Sequence, residues 1–165
     1  PSRYPGLLHG FLSALEDSKS VGEGTGWRPL YASISDSNQL IGAIVCYLKS
    51  DSYGEYVFDW AWADAYHRHG LNYYPKCVTS VPFTPATGPR VLIREGYDKA
   101  RITQQLIETL RDELADRVSS WHILFPDEES TQYIKPTGPW LERFGVQFHW
   151  FNQGFQSFDD HLATF

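Results

Sequence analysis

The sequence contains no methionine, only two cysteines and fewer basic than acidic residues. Lys and Arg number 14 against 20 Asp and Glu, a formal net charge of -6. General nucleic-acid binding is not expected, because it needs clustered positive charge. A membrane span is not expected either, since no apolar run approaches the roughly 18 residues that a transmembrane helix requires.

Both cysteines, Cys46 and Cys77, lie inside apolar runs and form no C-x-x-C pair. We therefore expect two small buried side chains in a reducing, cytoplasmic compartment, with a disulfide between them as the alternative. No basic segment precedes the short apolar stretch at Leu7, so no signal peptide is visible. Because no initiator methionine is present, we expect a fragment of a longer protein.

The chain's 165 residues correspond to one domain that can bury its own core. Hydrophobic periodicity and turn residues predict an α/β domain with a mixed sheet. The predicted elements are a helix over 7–18, a hairpin of strands over 29–35 and 40–49, a helix over 57–69, strands over 78–82 and 90–94, a helix over 98–118, a strand over 121–125, helices near 128–133 and 139–144, a strand over 147–151, and a helix from 158. Asp98 is the expected N-cap of the longest helix, and strand 121–125 is mostly apolar and expected at the sheet centre.

Aromatic residues make up 16% of the chain, and the densest polar-aromatic segment is 52–64. A carboxylate among aromatic walls can have a raised pKa and act as a general base, which makes Glu55 and Asp59 candidates. The alternative, equally open, is that both acids serve the positive N-terminus of the helix predicted there.

A second candidate segment is the proline-rich loop over 83–89. Thr84 and Thr87 offer hydroxyl donors and Arg90 a cation, a combination suited to a phosphate or a carboxylate. The alternative is a rigid surface crossover without a ligand. The glycine-rich stretch 22–26 is interpreted as a linker, because no strand precedes it and no Lys-Ser/Thr pair follows it.

Histidines do not indicate a metal site, since H-E-x-x-H and similar ligand spacings are absent. His122 and His149 lie on predicted strands beside tryptophans. Either could act as an acid or base, or be a hydrogen-bonded structural histidine. No G-x-S-x-G motif is present, so an α/β-hydrolase is not indicated.

Several long strings together resemble one protein family. They are residues 47–50 (YLKS), 52–63 (SYGEYVFDWAWA), 73–76 (YYPK), 81–85 (VPFTP), 87–90 (TGPR), 122–126 (HILFP) and 145–150 (GVQFHW). The chain resembles, from about Phe11 to its last residue, the bacterial FemAB-like predicted N-acyltransferases, also called the peptidoglycan biosynthesis/recognition family.

The resemblance implies a GNAT-like (acyl-CoA N-acyltransferase) fold, an α/β mixed sheet flanked by helices, with two such units in a chain. Residues 1–165 would form the first unit, and the missing second half of the chain would be its partner. The implied donor is an acyl-CoA or an aminoacyl-tRNA, and the implied acceptor a small molecule or cell-wall precursor. Residues 94–99 (REGYDK) depart from the GNAT pyrophosphate loop, whose backbone amides bind phosphate, because the glycine spacing differs and two acids are present.

Two functions follow as hypotheses. In the first, an N-acyltransferase, Glu55, Asp59 or His149 deprotonates an acceptor amine, and Tyr53 or a backbone amide over 84–88 stabilises the oxyanion. The predicted substrate-binding residues are Trp60, Trp62, Tyr73, Tyr74, Lys76, Thr84, Thr87, Gly88, Arg90, Gln147 and Trp150.

In the second, the aromatic surface is a non-catalytic module that recognises a cell-wall glycan or peptide, or packs against the missing half. Burial discriminates between the two hypotheses. An aromatic cluster ringed by carboxylates in a cleft favours the enzyme, and a flat exposed patch favours the binding module.

Overall fold

A computed structural model describes residues 4–165, in which five strands form one mixed sheet. They are β1 (Trp27–Asp36), β2 (Gln39–Lys49), β3 (Lys76–Thr79), β4 (Leu92–Ile93) and β5 (Trp121–Ile123). β1, β2, β3 and β5 lie side by side in that order, and β4 pairs with β2. The β3–β5 pair is parallel and the other pairs are antiparallel, which confirms the predicted mixed α/β architecture.

The predicted hairpin is confirmed, and its turn explains why the two strands pair in this register. Ser37 and Asn38, between Asp36 and Gln39, have φ angles of 48° and 68°. Two successive positive φ angles produce a turn whose twist matches that of the flanking strands. β1 and β2 therefore form the longest paired segment of the sheet.

In the described part of the chain, five α-helices accompany the sheet. They are α1 (His9–Asp17), α2 (Trp60–Arg68), α3 (Lys99–Leu114), α4 (Glu128–Ile134) and α5 (Phe158–Leu162), with short 3₁₀ turns at Pro5–Leu7 and Lys135–Thr137. The longest, α3, begins as predicted, because the Asp98 side chain accepts a hydrogen bond from the Arg101 amide.

The two faces of the sheet differ in chemistry. The face covered by α3 is apolar, and Cys46 and Cys77 lie there in contact with helix residues such as Leu106. Both cysteines are free and fully buried, so the prediction of two buried thiols is confirmed and the disulfide alternative is wrong. On the opposite face, Lys49 and Lys76 pair directly across β2 and β3.

Two predicted elements near the end of the chain are wrong. Residues 138–157 contain neither the helix predicted at 139–144 nor the strand predicted at 147–151. The alternating apolar residues there pair with no strand of the described chain, and Val146 and Phe148 are 85% and 100% exposed. The prediction that 121–125 is central is also wrong for the described residues, because β5 is the last strand of the sheet.

Within residues 4–165, no helix combines the length and apolar character needed to cross a bilayer. Helix α2 starts at Trp60, three residues later than predicted, because residues 53–58 adopt an irregular conformation. That irregular segment determines the geometry of the site described below.

We expect Gly42→Ala, in β2, to lower the free energy of unfolding by about 1–3 kcal/mol through overpacking. An added Cβ would lie 2.5 Å from Ile102 Cγ2 of α3. Gly10→Ala is the matched control, since no described residue outside the helix backbone lies within 4 Å of its Cβ position and alanine is the better helix former. Urea denaturation measures both, and equal midpoints for the two variants would show that α3 does not pack tightly on β2.

Candidate functional site

The centre of the site is the buried ammonium group of Lys76, at the start of β3. Lys76 has no exposed surface. Its Nζ donates hydrogen bonds to Ser52 Oγ at 2.9 Å, to Glu55 Oε2 at 2.8 Å and to Asp59 Oδ2. A buried cation is tolerated only when paired and hydrogen-bonded, and this one has both kinds of partner.

A second buried ammonium group lies beside the first. Lys49 Nζ is 3.9 Å from the centre of the Trp27 ring, donates to the Tyr53 carbonyl at 3.2 Å and is 3.5 Å from Asp51 Oδ1. Burial lowers the pKa of Lys49 despite the attraction of the nearby carboxylates. The sheet thus presents two adjacent lysines that need negative charge close by.

The pKa values of the two carboxylates of this network, Glu55 and Asp59, are shifted in opposite directions. Burial acts to raise the pKa of Asp59, but hydrogen bonds from Lys76, Ser52 and Tyr73 outweigh burial and lower that pKa to about 2. The Tyr73 hydroxyl donates to Asp59 Oδ2 at 2.5 Å. For Glu55, burial dominates and raises the pKa in spite of the Lys76 contact.

Each carboxylate also has one oxygen that is not used. Glu55 Oε1 and Asp59 Oδ1 are buried and have no hydrogen-bond partner among residues 4–165. A buried acceptor without a donor costs free energy, so these atoms are available to a proton or a donor group that enters the site.

The backbone of residues 53–58 explains why the two acids point inward. Gly54, Tyr56 and Phe58 have positive φ angles of 77°, 61° and 50°. This conformation is uncommon for tyrosine and phenylalanine, and it marks a segment held in place by its surroundings. Tyr56 and Phe58 are exposed, whereas Glu55 and Asp59 are buried.

Among the described residues, neither acid caps helix α2 through a side-chain hydrogen bond. Asp59 occupies the N-cap position, but its side chain makes no capping hydrogen bond. Both carboxylates instead form ion pairs with Lys76, which lies 17 and 21 residues away in sequence. Their role is therefore to neutralise a buried cation.

An exposed aromatic rim lies outside the buried network. Tyr53 is 71% exposed and its ring meets that of Trp60 edge to face, with centroids 5.4 Å apart. Trp62 is about half exposed, and the Arg143 guanidinium lies 5.4 Å from the centre of its ring. Tyr53, predicted as a catalytic residue, and the predicted substrate-binding residues Trp60 and Trp62 are thus accessible, unlike the carboxylates.

Tyr73 and Tyr74 form the boundary between the network and a neighbouring hollow of about 350 Å³. Tyr73 is buried and bonds Asp59, while the Tyr74 hydroxyl is 2.7 Å from Ser52 Oγ. The hollow's other walls are Ala63, His67, Leu71 and Asn72. The two tyrosines therefore connect the carboxylate network to a concave surface of suitable size for a small group.

His122, on β5, is a site residue that the sequence did not distinguish from His149. It pairs with Val78 of β3, on the sheet face that carries Lys76, and its ring lies 6.3 Å from the Tyr73 ring. Burial lowers the pKa of His122 to about 4, with a further lowering from Lys76. His122 follows Ser120 by two residues in sequence, and strand register places it opposite Val78 of β3. That register is the signal that could have identified His122 as a site residue.

Two of the predicted anion-binding residues, Thr84 and Arg90, hold the 83–90 loop together. Arg90 is buried, and its guanidinium donates to the carbonyls of Leu124, Pro89 and Ala86. Thr84 Oγ1 donates to the Pro82 carbonyl at 3.1 Å. These contacts match the rigid crossover that was the alternative interpretation.

The rest of that loop is also fixed by backbone contacts. The Gly88 amide donates to the Phe125 carbonyl, and a Cβ at Gly88 would lie 2.5 Å from the Tyr4 ring. Thr87 is exposed. Glycine is thus required at position 88 by close packing.

The remaining predicted residues lie on the irregular segment over 138–157. Gln147 Nε2 donates to the Pro85 carbonyl at 2.9 Å. His149 is exposed and stacks on Phe151, and Trp150 contacts Phe155 and His161. The described contacts of His149 are therefore with its own segment and not with the Lys76 network.

Two possible cofactors, a metal ion and CoA, can be compared with the described residues. Within residues 4–165, no group of three or more His, Cys, Asp or Glu side chains converges on a common point. In the loop before α3, Arg94 Nε donates to the Leu40 carbonyl and the Asp98 carboxylate accepts from the Arg101 amide. That helix N-terminus already holds a negative charge, so a phosphate group would be repelled there.

We expect Lys76→Met to lower the free energy of unfolding by about 3–5 kcal/mol, because it leaves two buried carboxylates without a cation. The control is Lys99→Met, which removes an exposed ion pair with Glu129 and should cost less than about 1 kcal/mol. Chemical denaturation at neutral pH distinguishes these values. A small effect at Lys76 would mean that the carboxylates take up protons readily when the cation is lost.

We expect the stability of the protein to fall as the pH drops from about 6.5 to about 4, in part because of His122. The unfolded histidine binds a proton near its usual pKa of 6.5, whereas the folded one resists protonation until about pH 4. Protonation thus favours the unfolded chain, by at most about 1.4 kcal/mol per pH unit. The charged groups that act on His122 are Lys76, Arg143 and Asp59.

His122→Asn should flatten this part of the stability–pH curve, measured by urea denaturation between pH 4 and 7. His9→Asn, at the exposed start of α1, is the control and should leave the curve unchanged. Parallel curves for the wild type and His122→Asn would show that His122 is accessible to protons in the folded state.

Comparison with known proteins agrees with the resemblance seen in the residues. A sequence model of the FemAB-like family, described as peptidoglycan biosynthesis/recognition, matches residues 2–165. No curated protein and no solved structure matches the chain. Because the match covers almost every residue, including the site, the chain belongs to the FemAB-like family of peptidoglycan biosynthesis and recognition.

Proposed function

We propose that the protein takes part in transferring an acyl or aminoacyl group to an amine of a cell-wall precursor. One observation carries the proposal: Glu55 is 3% exposed, has a raised pKa and keeps one oxygen without a partner among residues 4–165. A carboxylate with these properties is suited to accept a proton from an amine as that amine attacks an acyl group. Membership of a peptidoglycan family supports the choice of acceptor.

The other members of the network have supporting roles in this proposal. Asp59, with its pKa near 2, stays ionised and anchors Lys76. Lys76 in turn fixes the Glu55 carboxylate by a hydrogen bond to Oε2, leaving Oε1 for the substrate. Tyr53 lies at the exposed rim, where its hydroxyl could donate to a developing oxyanion.

We also infer a GNAT-like fold for this unit. Three antiparallel strands, β1 to β3, are followed by the long helix α3 and then by β5, parallel to β3. This order is the one that the family resemblance implies, and it supports assignment to acyl transfer. The proposed acyl donor is a CoA thioester or an aminoacyl-tRNA. The loop before α3 does not fit a pyrophosphate, which counts against a CoA thioester bound at that loop.

A second candidate, a binding module without chemistry, is favoured by the exposure of the aromatic rim. Tyr53, Trp60 and Trp62 are 47–71% exposed, as expected of a surface that stacks on sugars or peptides. Residues 141–165 also expose large apolar side chains, which supports a packing partner such as a second unit of the same protein.

The test compares the wild type with Glu55→Gln in the full chain. The probes are a soluble muropeptide with a free amine as acceptor, and acetyl-CoA or an aminoacyl-tRNA as donor. Mass spectrometry measures the acylated muropeptide, and calorimetry measures muropeptide binding. We expect Glu55→Gln to lower turnover by about 10²–10⁴-fold, the usual contribution of a general base, with binding retained.

Glu23→Gln, at an exposed loop carboxylate, is the control and should leave turnover unchanged. Circular dichroism confirms that both variants fold. Muropeptide binding by the wild type without product from either donor would overturn the transfer proposal in favour of the binding module. Equal turnover in Glu55→Gln and the wild type would remove Glu55 from the catalytic machinery.

A further inference from the structure

A serine and a histidine meet at the end of the sheet, next to the Lys76 network. Ser120 Oγ lies 2.8 Å from His122 Nε2, a hydrogen-bonding distance. Both residues are partly exposed, in contrast to Glu55 and Asp59. A hydroxyl within hydrogen-bond reach of an imidazole nitrogen is the arrangement that activates a serine for nucleophilic attack.

Ser120 is held rigidly by the strand that carries Lys76. The Ser120 carbonyl accepts a hydrogen bond from the Cys77 amide at 2.9 Å, and the Ser119 amide donates to the Pro75 carbonyl at 2.9 Å. The Ser119 hydroxyl donates to the Tyr73 carbonyl. Ser120 is thus tied to β3 through its own carbonyl, and its neighbour Ser119 is held by two further hydrogen bonds. A nucleophile on a fixed backbone keeps its orientation, which is what a covalent reaction requires.

His122 is neutral at pH 7, and its lowered pKa makes the ring a weaker base than a free imidazole. Its surroundings include the cations Lys76 and Arg143 and the anion Asp59, and burial together with Lys76 keeps the ring neutral at pH 7. A neutral ring has one nitrogen free to accept a proton. The edge-to-face contact with Tyr73 orients the ring.

We propose that Ser120 is an acyl-accepting nucleophile and His122 its base, so that the transfer proceeds through a covalent acyl-serine. The inference rests on the proposed function and specifies the chemical route of the transfer. In the first step Ser120 Oγ bonds to the carbonyl carbon of a thioester or activated ester, and His122 takes the hydroxyl proton. The bond to the leaving thiol or hydroxyl breaks, and the leaving group departs with that proton.

In the second step an acceptor amine attacks the acyl-serine carbonyl. The amide bond forms, the ester bond breaks, and the proton lost by the amine returns to Ser120 Oγ. Glu55, the proposed base for the amine, acts in this step. The two steps together balance in atoms, protons and charge, and they need no oxidant or reductant.

The test uses the full chain and p-nitrophenyl acetate, an activated ester that needs no donor-binding site. We expect a burst of p-nitrophenolate equal to the amount of protein, and one acetyl group on Ser120 by peptide mapping. Ser120→Ala should lower the burst at least 100-fold, and His122→Gln should slow it at least 10-fold. Ser33→Ala, an exposed serine on β1, is the control and should give the wild-type burst.

The outcomes separate this proposal from the proposed function. Acetylation that maps to lysines and persists in Ser120→Ala overturns the nucleophile, whether or not the protein transfers acyl groups. Undiminished transfer to the muropeptide by folded Ser120→Ala leaves acyl transfer intact and also overturns the covalent route. An acetyl-Ser120 that no added amine discharges supports the nucleophile and overturns amine transfer.

Discussion

Two lysines paired side by side inside the protein are the constraint on which the site depends. Lys49 and Lys76 face the same side of the sheet on neighbouring strands, and both are wholly buried. Like charges directly opposite each other repel, and each also loses its hydration. Glu55 and Asp59 are therefore not optional, since without them the two strands could not pair in this register with both amines charged.

The same constraint shapes the loop between β2 and α2. To bring two carboxylates over Lys76, the backbone passes through left-handed conformations at Gly54, Tyr56 and Phe58. Along this loop the carboxylates of Glu55 and Asp59 are buried, while the rings of Tyr56 and Phe58 are exposed. The exposed rim and the buried charges are thus two consequences of one backbone path, which explains why recognition and chemistry are adjacent in this molecule.

Much of the fold could be predicted because local signals were sufficient. Turn residues beside β1 and β2 set the hairpin, and Asp98 set the start of α3. The prediction of a strand over 147–151 was wrong, because alternating apolar residues form a strand only when a neighbouring strand supplies hydrogen bonds. The inward orientation of Glu55 could not be predicted either, since its cation, Lys76, is 21 residues away. His122 and His149 look alike in sequence, and only strand pairing separates them.

Residues 141–165 expose large apolar side chains, and this exposure affects how readily the isolated chains associate in solution. Phe148 and Phe165 are almost fully open to water, as is Leu141. Such surfaces attract one another, and at neutral pH only the modest charge of -6 opposes their contact. Near the isoelectric point of about 5.4 that repulsion vanishes, so the molecules should cluster most readily in mildly acidic solution.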